Sequence, residues 1–258
     1  MPEGRITRGT TGTNRLRRVD RFIAAHPAFT GAERPLVVDL GFGAAPWTAV
    51  ELADRLGRIR SDTRVVGIEI DPARVESAAP HARPGLSFRT GGFEVPLDGA
   101  DATVIRAMNV LRQYDESEVP DAWGRLTRRI AAGGIVIDGT SNETGRIASW
   151  VTLDRRGPVA FTISLRLTGL ERPGIVEERL PKALIHRNVP GERIHGLLAE
   201  LDRGWAHAAG FAAFGEQQRW LRTVAMLQEG GWPVLTDRRR RRLGELTLPW
   251  SAVEPIPS

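Results

Sequence analysis

The chain has 258 residues, 41% of them hydrophobic, 26% charged and 6% aromatic, a composition too apolar for a wholly disordered polypeptide. It contains no cysteine, which excludes disulfides, thiolate metal sites and a cysteine nucleophile. The formal charge of +5 is unevenly placed: residues 1–21 hold six arginines against Glu3 and Asp20, Arg238 to Arg242 add five, and the remaining body, with 25 basic and 29 acidic residues, is net −4.

A sequence pI of 10.8 therefore reports the two ends and does not by itself point to nucleic acid. No run of ~18 apolar residues is present to span a membrane. The segment up to Arg21 lacks the apolar stretch of a secretory signal. These features predict a cytoplasmic protein.

The first predicted element is a short helix over RLRRVDRFIAA, capped by Thr13-Asn14, with Leu16, Val19, Phe22 and Ile23 on one stripe and His26-Pro27 at its end. From Pro35 the pattern becomes alternating strand and helix. Strands are predicted at 36–40, 64–70, 86–90, 102–110 and 134–140. Leu52, Leu56 and Ile59 mark a helix over 48–59, and a further helix runs from Asp121 to Ala132, closed by Gly133-Gly134. Short apolar strands separated by helices predict a parallel sheet covered on both faces.

After residue 140 the pattern changes to a hairpin, 146–154 and 158–167, with Val159, Phe161, Ile163, Leu165 and Leu167 on one face. A proline-punctuated loop follows, then helices at about 191–209 and 215–229. Trp205, Trp220 and Trp232 fit a helical core. No internal repeat is present.

The informative stretch is Val37-Val38-Asp39-Leu40-Gly41-Phe42-Gly43-Ala44-Ala45-Pro46-Trp47. It runs from a buried strand through a glycine turn into a helix, a geometry that lets a ligand approach the backbone and offers free N–H groups. Asp39 would repel a pyrophosphate placed against this turn, and it suits a ligand bearing an ammonium group. Glu69 ends the next strand, positioned to accept the hydroxyls of a ribose. Asn109 ends the fourth strand, over the crevice.

In order and spacing, VVDLGFGAAPWTAVELA, VVGIEID, DATVIRAMNVLRQYDESEV and GGIVIDGT resemble the class I S-adenosylmethionine-dependent methyltransferases. The resemblance covers residues 36–140. It implies an α/β Rossmann-like sheet, mostly parallel with an antiparallel C-terminal hairpin, plus helical additions. It implies S-adenosyl-L-methionine as cofactor. Asp39, Gly41, Phe42 and Gly43 would line the methionine moiety, Glu69 would bind the ribose, Ile70 would pack on the adenine, and Asn109 would complete the site. The acid that usually meets the adenine amino group is missing from Thr90-Gly91-Gly92-Phe93, so Gly92 and Phe93 are expected in its place. Asp39 and Glu69 together would give a negative lining for the sulfonium. Ala45 stands where a third glycine is often found.

The chain then divides into a basic arm and helix (1–34), a cofactor-binding core (35–168), a mainly helical substrate-side segment (169–232) and a basic, loosely ordered tail (233–258). The resemblance implies methyl transfer to an acceptor that the sequence leaves unidentified, with a small molecule expected over a nucleic acid. The Asn/Asp-Pro-Pro-aromatic signature of similar N-methyltransferases is absent, since Asn109-Val110-Leu111-Arg112 stands at that position. Candidate catalytic groups are His186, Glu143 and Tyr114, each with an ordinary structural role as the alternative. Arg8 or Arg15 of the arm could meet the methionine carboxylate or an anionic substrate. No metal site is expected. Two other readings stay open: an NAD-type oxidoreductase, and a non-catalytic or RNA-associated cofactor-binding protein that uses its basic termini.

Overall fold

A computed structural model describes residues 2–6, 9 and 12–257. Five parallel strands, β1 (Leu36–Leu40), β2 (Arg64–Glu69), β3 (Leu86–Thr90), β4 (Ala102–Met108) and β5 (Ile130–Ser141), lie in the order β3-β2-β1-β4-β5. β6 (Ile147–Asp154), β7 (Gly157–Leu165) and β8 (Glu245–Pro249) extend the sheet beyond β5, each antiparallel to its neighbour. The result is the mostly parallel Rossmann-like sheet expected, with an antiparallel C-terminal region. The direction of winding reverses between β1 and β4, and open α/β sheets form their ligand crevices at such a point.

The α-helices are α1 (Arg17–Ala25), α2 (Pro27–Thr30), α3 (Trp47–Gly57), α4 (Pro72–Ala78), α5 (Val119–Thr127), α6 (Lys182–Ile185), α7 (Arg193–His207), α8 (Glu216–Glu229) and α9 (Arg238–Arg241). Side chains of a strand alternate between faces, and this divides the core. Val37, Val104, Ile137 and Trp150 pack under Leu16, Val19 and Ile23 at the α1 end and under Leu52 and Leu56 of α3. Val38, Ile105, Val136 and Phe161 face the other way, toward Trp123 of α5, Leu201 of α7 and Trp220 of α8. Burying each such side chain contributes ~1.5–3 kcal/mol. None of the helices of the described residues is long and apolar enough to cross a membrane.

Three local expectations are corrected. Gly133-Gly134 does not close a helix: α5 stops at Thr127, and the glycines lie within β5 where its register against β4 shifts. A Cβ at Gly134 would stand 2.9 Å from the carbonyl oxygens of Ala102 and Thr103, so the close strand approach needs glycine. Thr13-Asn14 does not cap α1. Leu16 holds the cap position without a side-chain hydrogen bond, while Asn14 Oδ1 accepts from Arg55 at 2.9 Å. The stretch from 233 is no loose tail. Leu246 and Leu248 of β8 are buried, and Arg240 pairs with the buried Glu245 at 2.6 Å. Arg241 donates to the Thr236 carbonyl at 2.7 Å. Part of the arginine run therefore fastens the edge strand.

Asp138 of β5 is buried, and its Oδ2 accepts the indole N–H of Trp123 at 2.9 Å. Burial, only partly opposed by that bond, pushes its carboxyl up to about 7. Its folded-state pKa lies above the unfolded value, so its contribution to stability is complete below about pH 4 and disappears as the pH rises through about 7. Unfolding in urea should show stability falling over that window, by up to ~4 kcal/mol. Asp138→Asn keeps an acceptor for Trp123 and should flatten this pH dependence; an unchanged slope in the variant would assign it to other groups.

Candidate functional site

At the end of β1 the chain turns through Gly41 (φ 70°) and Gly43 (φ 85°), conformations that side chains other than glycine rarely adopt, before α3 begins at Trp47. A cavity of about 450 Å³ opens over this turn and the carboxyl ends of β4 and β5, lined among others by Gly41, Gly43, Thr48, Asn109, Ser141 and Glu143. Asn109 is held at φ 63°. Its Oδ1 accepts the Ser141 N–H at 3.0 Å, and its Nδ2 donates to Ser141 Oγ at 3.3 Å. The side chain thus ties the ends of β4 and β5 together beneath the cavity, and such left-handed backbone in a residue other than glycine persists only where its surroundings hold it.

Asp39 lines the cavity but does not supply the negative charge expected of it. It is register-paired with Arg106 of β4, and odd–even alternation puts both side chains on the α1/α3 face. Asp39 Oδ1 accepts from Arg106 Nε at 3.0 Å, and Oδ2 accepts from Thr48 Oγ1 at 2.7 Å. Arg106 is fully buried. It also bonds Asp20 of α1 and donates to the Thr48 carbonyl at 2.9 Å. Burial alone would lower its pKa, but Asp39 and Asp20 outweigh that effect and hold it charged. Arg55 of α3 closes the cluster by pairing with Asp20. Arg55 also pairs with Glu51 at 3.1 Å, so within the cluster it is Arg106 that balances Asp39, which is thereby a structural group. Asp39 accordingly offers little repulsion to a pyrophosphate at this turn.

Glu69 ends β2 and is 1% exposed. Its Oε2 accepts the Gly43 N–H at 2.9 Å and its Oε1 the Ile70 N–H at 3.1 Å, so the carboxylate bridges β2 to the glycine turn. Beyond it a second, much smaller cavity of about 20 Å³ is lined by Glu69, Ile70, Gly92, Phe93, Tyr114 and the segment Glu3–Arg5. That segment occupies the place expected for adenine. The Phe93 N–H donates to the Glu3 carbonyl at 2.8 Å, and a Cβ at Gly92 would lie 1.9 Å from that oxygen. The Gly92 N–H goes to Glu94 Oε1 at 2.9 Å. Tyr114 Oη accepts the Arg5 N–H. Arg5 and Glu3 also pair with Glu118 and Arg125, at 2.8 and 2.9 Å. At about 20 Å³ this recess has no room for a group of nucleoside size while the arm lies in it.

Of the catalytic candidates, Glu143 lines the large cavity, Tyr114 lies on the arm side, and His186 is exposed with Nε2 3.4 Å from Lys182 Nζ. The structure does not bring the three together. Arg15 lines the large cavity and donates from Nε to Ser141 Oγ at 3.3 Å, whereas Arg8 lies outside the described residues. Phe42 is buried edge-on against Phe88, with centroids 5.4 Å apart. Sequence reasoning missed Arg106, although an arginine inside the apolar run ATVIRAM is a signal that a buried acid must face it. It also missed Arg112 and Arg179, which line the cavity, and Arg179 carried no local signal.

No family model matches the chain, and no curated protein matches it. Solved structures do. A TehB-like SAM-dependent methyltransferase from Corynebacterium glutamicum is 20% identical, over 51% of this chain and 64% of that one, with a TM-score of 0.37. Magnesium protoporphyrin IX methyltransferase from Synechocystis, solved with bound SAH, is 19% identical over 50% and 61% of the two chains, with a TM-score of 0.35. A SAM-bound amino pentose methyltransferase from Micromonospora echinaspora is 20% identical over 60% and 70%, with a TM-score of 0.35. In the first two the aligned stretch spans less than two thirds of the known chain.

Proposed function

We propose that the protein is an S-adenosylmethionine-dependent methyltransferase acting on a small-molecule acceptor. The observation that carries this reading is the placement of Glu69. It is a buried carboxylate at the carboxyl end of β2, hydrogen-bonded to the glycine turn of β1, between the small recess that the arm fills and a cavity of about 450 Å³. The antiparallel run β5–β8 also differs from the second mononucleotide-binding half of a dinucleotide fold, which favours this reading over an NAD enzyme.

When bound, the cofactor supplies a methyl group on a sulfonium; an acceptor lone pair forms the new bond while the electron pair of the breaking carbon–sulfur bond stays on sulfur. The task of the chain is alignment and exclusion of water. Glu69 would accept the ribose hydroxyls, Gly41 and Gly43 would admit the methionine chain against the backbone, and residues 3–5 would leave the recess for adenosine to enter. Glu143, on the cavity wall, is the candidate to take a proton from a protonated acceptor.

Calorimetry with S-adenosylhomocysteine, S-adenosylmethionine and NAD tests the reading. The adenosyl ligands should bind and NAD should not. Glu69→Gln should weaken adenosyl binding by about tenfold or more, because a carboxylate accepting two hydroxyls is lost. Failure of both adenosyl ligands to bind either the full chain or a chain lacking residues 1–6 would overturn it.

A further inference from the structure

The large cavity is lined by three guanidinium groups, Arg15, Arg112 and Arg179, and by two carboxylates, Asp39 and Glu143. Asp39 is spent on Arg106 and Thr48. Glu143 acts electrostatically on Arg15. The wall therefore carries more positive than negative charge. The cofactor of the proposed function would add a sulfonium and an ammonium against a single carboxylate, so it cannot balance this excess.

Arg179 is placed by bonds from the sheet. Thr140 of β5 and Ser149 of β6 both donate their hydroxyls to its backbone carbonyl, which pins the end of the 3-10 segment Pro173–Arg179 above the strand ends. The Arg179 Nε is buried and has no hydrogen-bond partner. Its Nη1 and that of Arg112 both donate to the Glu178 carbonyl, at 3.2 and 3.1 Å, so the two guanidinium groups converge on one point. The like charges oppose each other: the partial desolvation of its inner end first, and then Arg179, lower the Arg112 pKa from the ordinary arginine value. A buried, unpaired guanidinium N–H beside a second arginine is costly unless an oxyanion completes it.

We infer that Arg179 and Arg112, with Arg15 on the same wall, form an oxyanion subsite that anchors the methyl acceptor through a carboxylate or phosphate group. This rests on the proposed function for the word acceptor, but the subsite stands on the arginines alone. An anion there would balance the wall and the cofactor together, and it would orient the acceptor by a planar fork of donors.

The test is calorimetry on the full chain with sodium benzoate and inorganic phosphate as probes and benzamide as the neutral control, with and without saturating S-adenosylhomocysteine. Benzoate or phosphate should bind in both conditions and benzamide should not; which of the two binds tells carboxylate from phosphate. Arg179→Gln and Arg112→Gln should each weaken binding by about tenfold. Arg112 is exposed, so its replacement leaves the core intact, and thermal unfolding checks the Arg179 variant. Three results overturn the inference: no binding of either anion, equal binding by the variants, or displacement of the anion by S-adenosylhomocysteine. The last would assign the arginines to the cofactor's own carboxylate. Should S-adenosylhomocysteine fail to bind while the anions bind through Arg179, the methyltransferase reading falls and the subsite remains.

Discussion

Arg106→Met is expected to destabilise the protein by about 3–5 kcal/mol, measured by urea unfolding at neutral pH. The substitution leaves Asp39 and Asp20 buried, each about 1–2% exposed, without the guanidinium that joins them. The cost arises from uncompensated charge more than from lost volume, since methionine fills much of the arginine stem's space. The combined replacement Arg106→Met, Asp39→Asn, Asp20→Asn should therefore recover most of the loss, because removing a whole buried charge cluster is often close to neutral. A single Arg106→Met variant of wild-type stability would mean that the cluster is hydrated and that Asp39 is available to a ligand after all.

The second large effect concerns the arm. Removal of residues 1–6 is expected to raise the affinity for S-adenosylhomocysteine by about tenfold or more. The ligand can enter the adenosine recess only in molecules whose arm has opened, and the apparent affinity falls by that fraction. The closed arm is held by the Phe93 N–H bond to the Glu3 carbonyl, the Glu3 N–H bond to Glu94 Oε2 at 2.8 Å, hydrogen bonds between Arg5 and Gln113, the Tyr114 contact and two exposed ion pairs, Arg5–Glu118 and Glu3–Arg125. Each exposed pair is worth only ~0–1 kcal/mol, but ~1.4 kcal/mol in total is enough for a tenfold effect. Gly92→Ala offers an independent route, since its Cβ would stand 1.9 Å from the Glu3 oxygen and push the arm away. Weaker binding after deletion would show instead that residues 3–5 close over a bound ligand and contribute contacts to it.

Much of the fold is legible in the sequence because its signals are local. The apolar runs at 36–40, 64–70 and 102–110 and the period-two alternation after Val159 each correspond to a strand. The glycine turn and the acid at the end of β2 lie where their spacing put them. The misread segments have a shared cause. Gly133-Gly134 carries the same letters whether it stops a helix or lets two strands approach, and only the neighbouring backbone of β4 decides. The arginines at 238–242 read as part of a loosely ordered tail because the buried Glu245 that fixes Arg240 is itself placed by the pairing of β8 with β7.

By itself the sequence determined the sheet core, the turn between β1 and α3, and the carboxylates at the strand ends, since strand periodicity and glycine conformation are properties of a few adjacent residues. Tertiary structure alone decided what those carboxylates do. Asp39 meets Arg106 across 67 positions of sequence, which balances its charge, whereas Glu69 meets the Gly43 N–H, with Arg74 3.6 Å away, at the mouth of the recess. It also decided that the arm lies in that recess and that Arg179 stands over β5 and β6. Charge in a folded protein belongs to clusters whose members are brought together by topology, so the net −4 of the body did not report the sign of its cavity, which arginine sets.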